Sequence, residues 1–141
     1  MAEPLFLNSI VAHQWHCDHF GHLNSRHYAA AFDDALFLFW GQLGAIIPGR
    51  DEAGTIPVTA EMRTTFQSET LVGTIANLRG RVLRVGGKSV SLRLEMVEAQ
   101  SDRPLATCEV VEVFFDMQAR ESRPIPDALR DRLLAAVDAA P

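Results

Sequence analysis

From residue 25 to about residue 43, apolar side chains recur at spacings of three and four, and from residue 56 onward they alternate with polar ones. The first period predicts a long helix and the second predicts strands. The helical stripe is Tyr28, Phe32, Leu36, Phe39 and Leu43, while Ala29, Ala30, Phe37, Leu38 and Trp40 make the other faces apolar as well. Asp33 and Asp34 are nearly the only polar break. A helix with so little polar surface is expected to be mostly buried, and in a chain of 141 residues that asks for a sheet curled around it, alone or together with a second subunit. At about 1.5 Å per residue this rod spans nearly 30 Å.

Before the helix, residues 9–15 read as a short strand containing Ile10, Val11 and Trp15, followed by a turn at Gly21 and an N-cap at Asn24 or Ser25. After it, residues 44–57 carry three glycines, two prolines and Arg50-Asp51-Glu52, the composition of a loop. Ile56, Val58, Ala60, Met62, Thr64 and Phe66 then alternate with Thr59, Glu61, Arg63 and Thr65, which predicts a strand with one face inward. A second strand is expected over residues 72–85, with a parity change between Val82 and the pair Leu83 and Val85 that suggests a bulge at Gly80. Gly86-Gly87 marks a hairpin into residues 88–98, where Val90, Leu92, Leu94 and Met96 face away from Ser89, Ser91, Arg93 and Glu95. Residues 101–104 turn the chain into a last strand over 105–117, apolar on both faces as suits a central strand or a subunit interface. A polar connector at 120–124 leads to a terminal helix opened by Asp127, with Leu129, Leu133 and Val137 opposite Arg130, Asp131 and Arg132. The expected fold class is α+β, a single domain over residues 1–141. In it a long central helix is wrapped by a curved antiparallel sheet of about five strands, with a short C-terminal helix.

An apolar fraction of 48% and a charged fraction of 22% are ordinary for a globular chain. No apolar run approaches the roughly 18 residues of a membrane span, and the first residues lack the pattern of a signal peptide, so a soluble cytoplasmic protein is expected. Two cysteines, Cys17 and Cys108, agree with a reducing compartment. A net charge of −5 argues against nucleic acid or an anionic membrane as partner. Yet Arg79, Arg81, Arg84, Lys88 and Arg93 fall within fifteen positions. Such a cluster could seat a phosphate-bearing small molecule, or simply form a solvated strand face.

The candidate chemistry lies in residues 13–28, which hold all five histidines, Cys17 and the acid Asp18, at the start of the long helix. A local metal site could draw on His13, His16, His19 and His22 with Cys17 and Asp18, but the chain offers no second ligand pair downstream. Cys17 with a histidine would make a thiolate nucleophile if the two side chains faced each other. Asp18, next to the unpaired N–H groups of a helix start, could act on a carbonyl that those groups polarise, or could merely cap a turn.

The block Asp18-His19-Phe20-Gly21-His22-Leu23-Asn24, followed by Tyr28 and an apolar helix, resembles the Asp-x-x-Gly-His-x-Asn signature of the 4-hydroxybenzoyl-CoA thioesterase-like, hotdog-fold acyl-CoA thioesterases. The resemblance continues through the Gly86-Gly87-Lys88-Ser89 turn to Val111, Val113 and the Phe114-Phe115-Asp116 strand end. It implies that Asp18 is the catalytic carboxylate, as nucleophile or general base, and that N–H groups near Ser25 polarise the thioester carbonyl. It gives Gly21, His22 and Asn24 roles in shaping the loop and helix cap. Lys88, Ser89 and Arg84 would meet coenzyme A, Arg84 from a partner subunit, and Phe20, Tyr28 and Phe66 would line an acyl pocket. The function implied is hydrolysis of a small acyl- or aryl-CoA by a homodimer or homotetramer, without a redox cofactor; no residue is assigned as a metal ligand. A hydratase or dehydratase on the same thioesters, and a binding module for acyl-CoA or acyl carriers, are the alternatives. His13, His16, Cys17 and His19 stand outside the signature.

Overall fold

A computed structural model describes residues 3–45 and 54–137 of the chain. The elements are β1 (Leu5–Val11), α1 (Ser25–Leu43), β2 (Thr55–Phe66), β3 (Ile75–Val85), β4 (Ser89–Glu98), β5 (Pro104–Asp116), β6 (Glu121–Ser122) and α2 (Asp127–Ala135). Neighbouring strands run antiparallel in the order β1-β3-β4-β5-β2, and the two-residue β6 pairs with the end of β5. This is the expected helix-in-a-curved-sheet arrangement.

The inward faces of β3, β4 and β5 contribute Leu78, Val82, Leu92, Leu94, Met96, Cys108 and Phe114 to one buried cluster, which α1 closes with Phe32, Ala35, Leu36 and Phe39. The helix packs over β1, β3 and β4. It comes close to β3 at Gly80, where an added Cβ would lie 3.1 Å from the Phe39 ring and 3.4 Å from Leu7. α1 ends at Gly44, whose φ of 74° is the left-handed cap that glycine adopts without strain. α2 seals the open end of the sheet with Leu129 and Leu133, while Arg132 donates to the Leu43 carbonyl at 2.8 Å and Arg130 to that of Gly86.

Several sequence expectations are corrected. The first strand is Leu5–Val11, paired with β3, and Gln14–His16 form a single 3₁₀ turn, so Trp15 lies outside the strand and is 72% exposed. The chain leaves the sheet because Val11 is the last residue opposite β3, at Ile75, and the His13 N–H folds back onto the Val11 carbonyl. β3 starts at Ile75 rather than residue 72, since residues 70–72 are held by the turn preceding α1. Its irregularity falls between Val82 and Arg84, at Leu83; Gly80 pairs regularly and is small because Phe39 crosses it.

β2 departs most. It is an edge strand, with Val58, Met62 and Phe66 at 41%, 41% and 55% exposure. Its pairing jumps from Thr59 opposite Glu112 to Glu61 opposite Val111, so Ala60 is a bulge and the faces exchange there. Val58 and Met62 therefore lie on opposite faces, although simple alternation put them on one. The predicted loop over 44–57 is shorter, because Thr55 to Pro57 already belong to β2, where an edge tolerates proline; residues 46–53 lie outside the described residues. On α1, Phe37 and Leu38 remain 67% and 42% exposed, so the sheet of one chain leaves that face uncovered. Among the described residues no helix is long and apolar enough to cross a membrane.

Candidate active site

Residues 17–23 form a tight turn closed by a bridge between Cys17 and Leu23. Inside it the Asp18 N–H donates to the His22 carbonyl at 2.8 Å and the Gly21 N–H to the Asp18 carbonyl at 3.0 Å. Gly21 has φ of 78°, a conformation that side-chain-bearing residues adopt at a cost. The turn docks on the segment before β3. The Leu23 N–H donates to the Thr70 carbonyl at 2.7 Å and the Val72 N–H to the Gly21 carbonyl at 3.1 Å. On its other flank the Asn24 N–H donates to the His16 carbonyl at 3.0 Å.

Within this frame one oxygen of Asp18, Oδ1, accepts from the N–H groups of Phe20 at 2.9 Å and His22 at 3.1 Å. The His22 hydrogen bond is the largest influence holding the Asp18 carboxyl below the usual carboxylate range; partial burial opposes it, and the Phe20 bond and the nearby His22 and His19 rings reinforce it. Asp18 is therefore an anion at neutral pH. Its second oxygen, Oδ2, has no hydrogen-bond partner among the described residues.

Helix α1 begins beside this carboxylate. Asn24 is the N-cap, accepting from the Arg26 N–H at 3.4 Å through its side chain and from His27 at 2.9 Å through its carbonyl. The Ser25 N–H has no acceptor among the described residues. It lies at the positive end of a nineteen-residue helix. Asp18 and Ser25 both line a groove of about 590 Å³, whose walls also include Tyr28 and Phe66. These two rings meet edge to face at 4.9 Å, and the buried Tyr28 hydroxyl pairs with Thr70 Oγ1 at 2.7 Å. An anionic oxygen and a free amide in one groove, with the Tyr28 and Phe66 rings in its wall, are the parts needed to attack a carbonyl and hold the resulting oxyanion.

Of the residues singled out in the sequence, Asp18, His22, Asn24, Ser25, Tyr28 and Phe66 line this one groove. Phe20 is not among the lining residues. Its amide is committed to Asp18, and its ring turns outward, 70% exposed and against the His19 ring at 4.0 Å. Gly21 supports the turn without lining the groove. Arg84, Lys88 and Ser89 lie at the β3–β4 hairpin, the far end of β3 from the Asp18 turn, and none lines the groove of this chain. Sequence reasoning missed residues 67–70. They form the opposite wall, where Glu69 Oε2 lies 3.7 Å from His22 Nε2. In sequence they are an ordinary polar connector.

The remaining histidines pack against other rings. The His13 ring lies on Trp15 at 4.4 Å, and His16 meets His27 at 4.5 Å. Burial, then the neighbouring charges of His16 and Arg26, holds the His27 imidazole below its ordinary pKa. Among the described residues no three His, Cys, Asp or Glu side chains converge so as to hold a metal ion. The Cys17 thiol points at the His13 carbonyl, 3.3 Å away, and not at an imidazole.

A model of the thioesterase-like superfamily matches residues 11–133. No curated protein matches the chain in sequence. Among solved structures, a protein from Pseudomonas aeruginosa is 23% identical, with 99% of this chain and 100% of that chain covered and a TM-score of 0.81. A hypothetical protein from Staphylococcus aureus, solved in complex with CoA, is 18% identical over 100% of this chain and 90% of that one, with a TM-score of 0.85. A 1,4-dihydroxy-2-naphthoyl-CoA thioesterase from Synechocystis is 10% identical over 94% and 96%, with a TM-score of 0.78. At these identities the likenesses establish the shared fold.

Proposed function

The chain belongs to the thioesterase-like superfamily, with the hotdog fold, and from that premise we propose that it hydrolyses a small acyl- or aryl-CoA thioester to a carboxylate and free coenzyme A. The observation that carries the reading is the asymmetry of Asp18: Oδ1 is fixed by two amides while Oδ2 is free in a groove shared with the Ser25 N–H. Asp18 acts as nucleophile or as general base toward water, and the Ser25 amide stabilises the oxyanion. Gly21, His22 and Asn24 hold the turn and cap. The edge-to-face pair Tyr28 and Phe66 suits a short or aromatic acyl group.

The exposed edge of β2 supports a homodimer or homotetramer, because an unpaired strand edge with apolar neighbours favours pairing with a second copy. In such an assembly Arg84, Lys88 and Ser89 of a partner would contact the coenzyme A portion. Hydrolysis requires water alone as co-reactant, so no redox cofactor is invoked, and a cytoplasmic setting suits an acyl-CoA substrate.

Thiol release from a panel of acyl-CoA esters tests the reading. Asp18→Asn is expected to lose about a hundredfold or more in kcat with the fold retained, the scale of one transition-state contact. Equal rates in the two proteins would overturn the assignment of Asp18. Double-bond hydration without thiol release, or tight coenzyme A binding without turnover, would replace hydrolysis by one of the alternatives.

A further inference from the structure

Expulsion of an alkyl thiolate, whose parent thiol has a pKa of about 8.5, benefits from a proton donor at neutral pH. Asp18 enters as an anion, and the Ser25 amide is occupied with the carbonyl oxygen. Of the side chains lining the groove, His22 alone carries an imidazole. The Tyr28 hydroxyl is buried and paired with Thr70. We propose that His22 is the acid that protonates the departing sulfur, and that Glu69, across the groove, positions its imidazole.

The inference rests on the thioester-hydrolysis reading and deepens it. Its support is geometric. The His22 backbone N–H binds Asp18 Oδ1 at 3.1 Å, and its carbonyl accepts from the Asp18 N–H at 2.8 Å. The residue that carries the imidazole is thus tied on both sides to the carboxylate that would act on the substrate. An isolated bridge to Leu71 pins the same residue to the facing segment. The imidazole Nε2 lies 3.7 Å from Glu69 Oε2, with the two side chains 36% and 68% exposed, so the pair stands at the open side of the groove. A hydrolase of this design needs its leaving-group acid there, because the thiol half of the substrate extends outward. The charged groups around His22 are Asp18 on its own turn, His19 beside it and Glu69 on the facing loop.

The protons balance. When Asp18 Oδ2 attacks, the carbon–sulfur bond breaks with its electron pair on sulfur, and imidazolium gives sulfur its proton. Water then opens the Asp18–acyl anhydride, passing one proton to neutral His22 and leaving a carboxylic acid that ionises to solvent. With Asp18 as base toward water, two carboxyl protons result; one returns to His22 and the other goes to solvent.

The test compares two thioesters of one acyl group, one with an alkyl thiol and one with a nitrothiophenol, which leaves without protonation. For His22→Gln the expected loss is about a hundredfold on the alkyl thioester and no more than a few-fold on the aryl one; retained aryl turnover also shows that the variant is folded. Glu69→Gln should lose less than His22→Gln on the alkyl ester, and more on the alkyl ester than on the aryl one. Equal losses on both esters, or none on either, would show that His22 only shapes the turn. If Asp18→Asn leaves both rates unchanged while His22→Gln separates the esters, the role of Asp18 fails and the leaving-group acid stands. If the wild type cleaves neither ester, both readings fall.

Discussion

The two oxygens of Asp18 share one carbon yet sit in different surroundings, because two backbone amides bind Oδ1 alone. Two amides on Oδ1 fix its rotation and, with the nearby His22 and His19 rings, hold the carboxyl below its usual range against partial burial. The acid limb of kcat/KM should therefore not be set by Asp18 within the ordinary aspartate range near 3.9. A pH profile on an aryl thioester reads that limb without the leaving-group proton. Glu112 shows the opposite case. It is buried opposite Thr59, its Oε1 accepts from the Trp40 indole at 2.8 Å, and its Oε2 is buried without a hydrogen bond. Burial pushes this carboxyl above its usual pKa, against hydrogen bonding by Thr59 and Trp40, with the charge of Asp33 adding to the rise. A folded-state pKa above the unfolded one means that Glu112 costs stability increasingly as pH rises past the unfolded value. Glu112→Gln should raise Tm by about 2–5 °C near pH 8, with the gain shrinking toward pH 4, as differential scanning calorimetry would show.

At the scale of elements, what the sequence made legible is what a regular period encodes. α1 falls where its stripe and the Asn24 cap put it, and β4 buries Val90, Leu92, Leu94 and Met96 because a strand under a helix has one wet face and one dry one. Features that depend on a neighbour were not legible. The β3 bulge went to Leu83 because Gly80 is needed for the approach of Phe39, a contact between residues forty-one positions apart. Gly80→Val should accordingly cost about 1–3 kcal/mol by overpacking, measured as a lower urea midpoint with unchanged slope. The alternation of β2 concealed its bulge at Ala60, since a bulge changes pairing without changing the residue pattern. The Asp18 turn was readable from its motif, but its facing wall, residues 67–70, was not. A polar connector becomes a wall of the groove only through the hydrogen bonds that dock it, such as Leu23 to Thr70.

For the molecule as a whole, the cohesion of the described residues comes from one core, yet the sheet ends on the β2 edge with Met62 and Phe66 uncovered, and Phe66 also walls the groove. Assembly and substrate binding would then share a side chain. Met62→Arg, off the groove lining, should shift sedimentation toward monomer and weaken acyl-CoA turnover together; a monomeric variant with full activity would separate the two. The stacked pair of His13 and Trp15 gives the molecule a property of another kind. The chain has two tryptophans, and they occupy opposite extremes: Trp15 is 72% exposed three residues from Asp18, and Trp40 is 6% exposed against Glu112. Their emission is expected at different wavelengths, and a soluble quencher reaches only the first. The protein thus carries two native fluorophores, one reporting on the exposed turn that leads to Asp18 and the other on the integrity of the core.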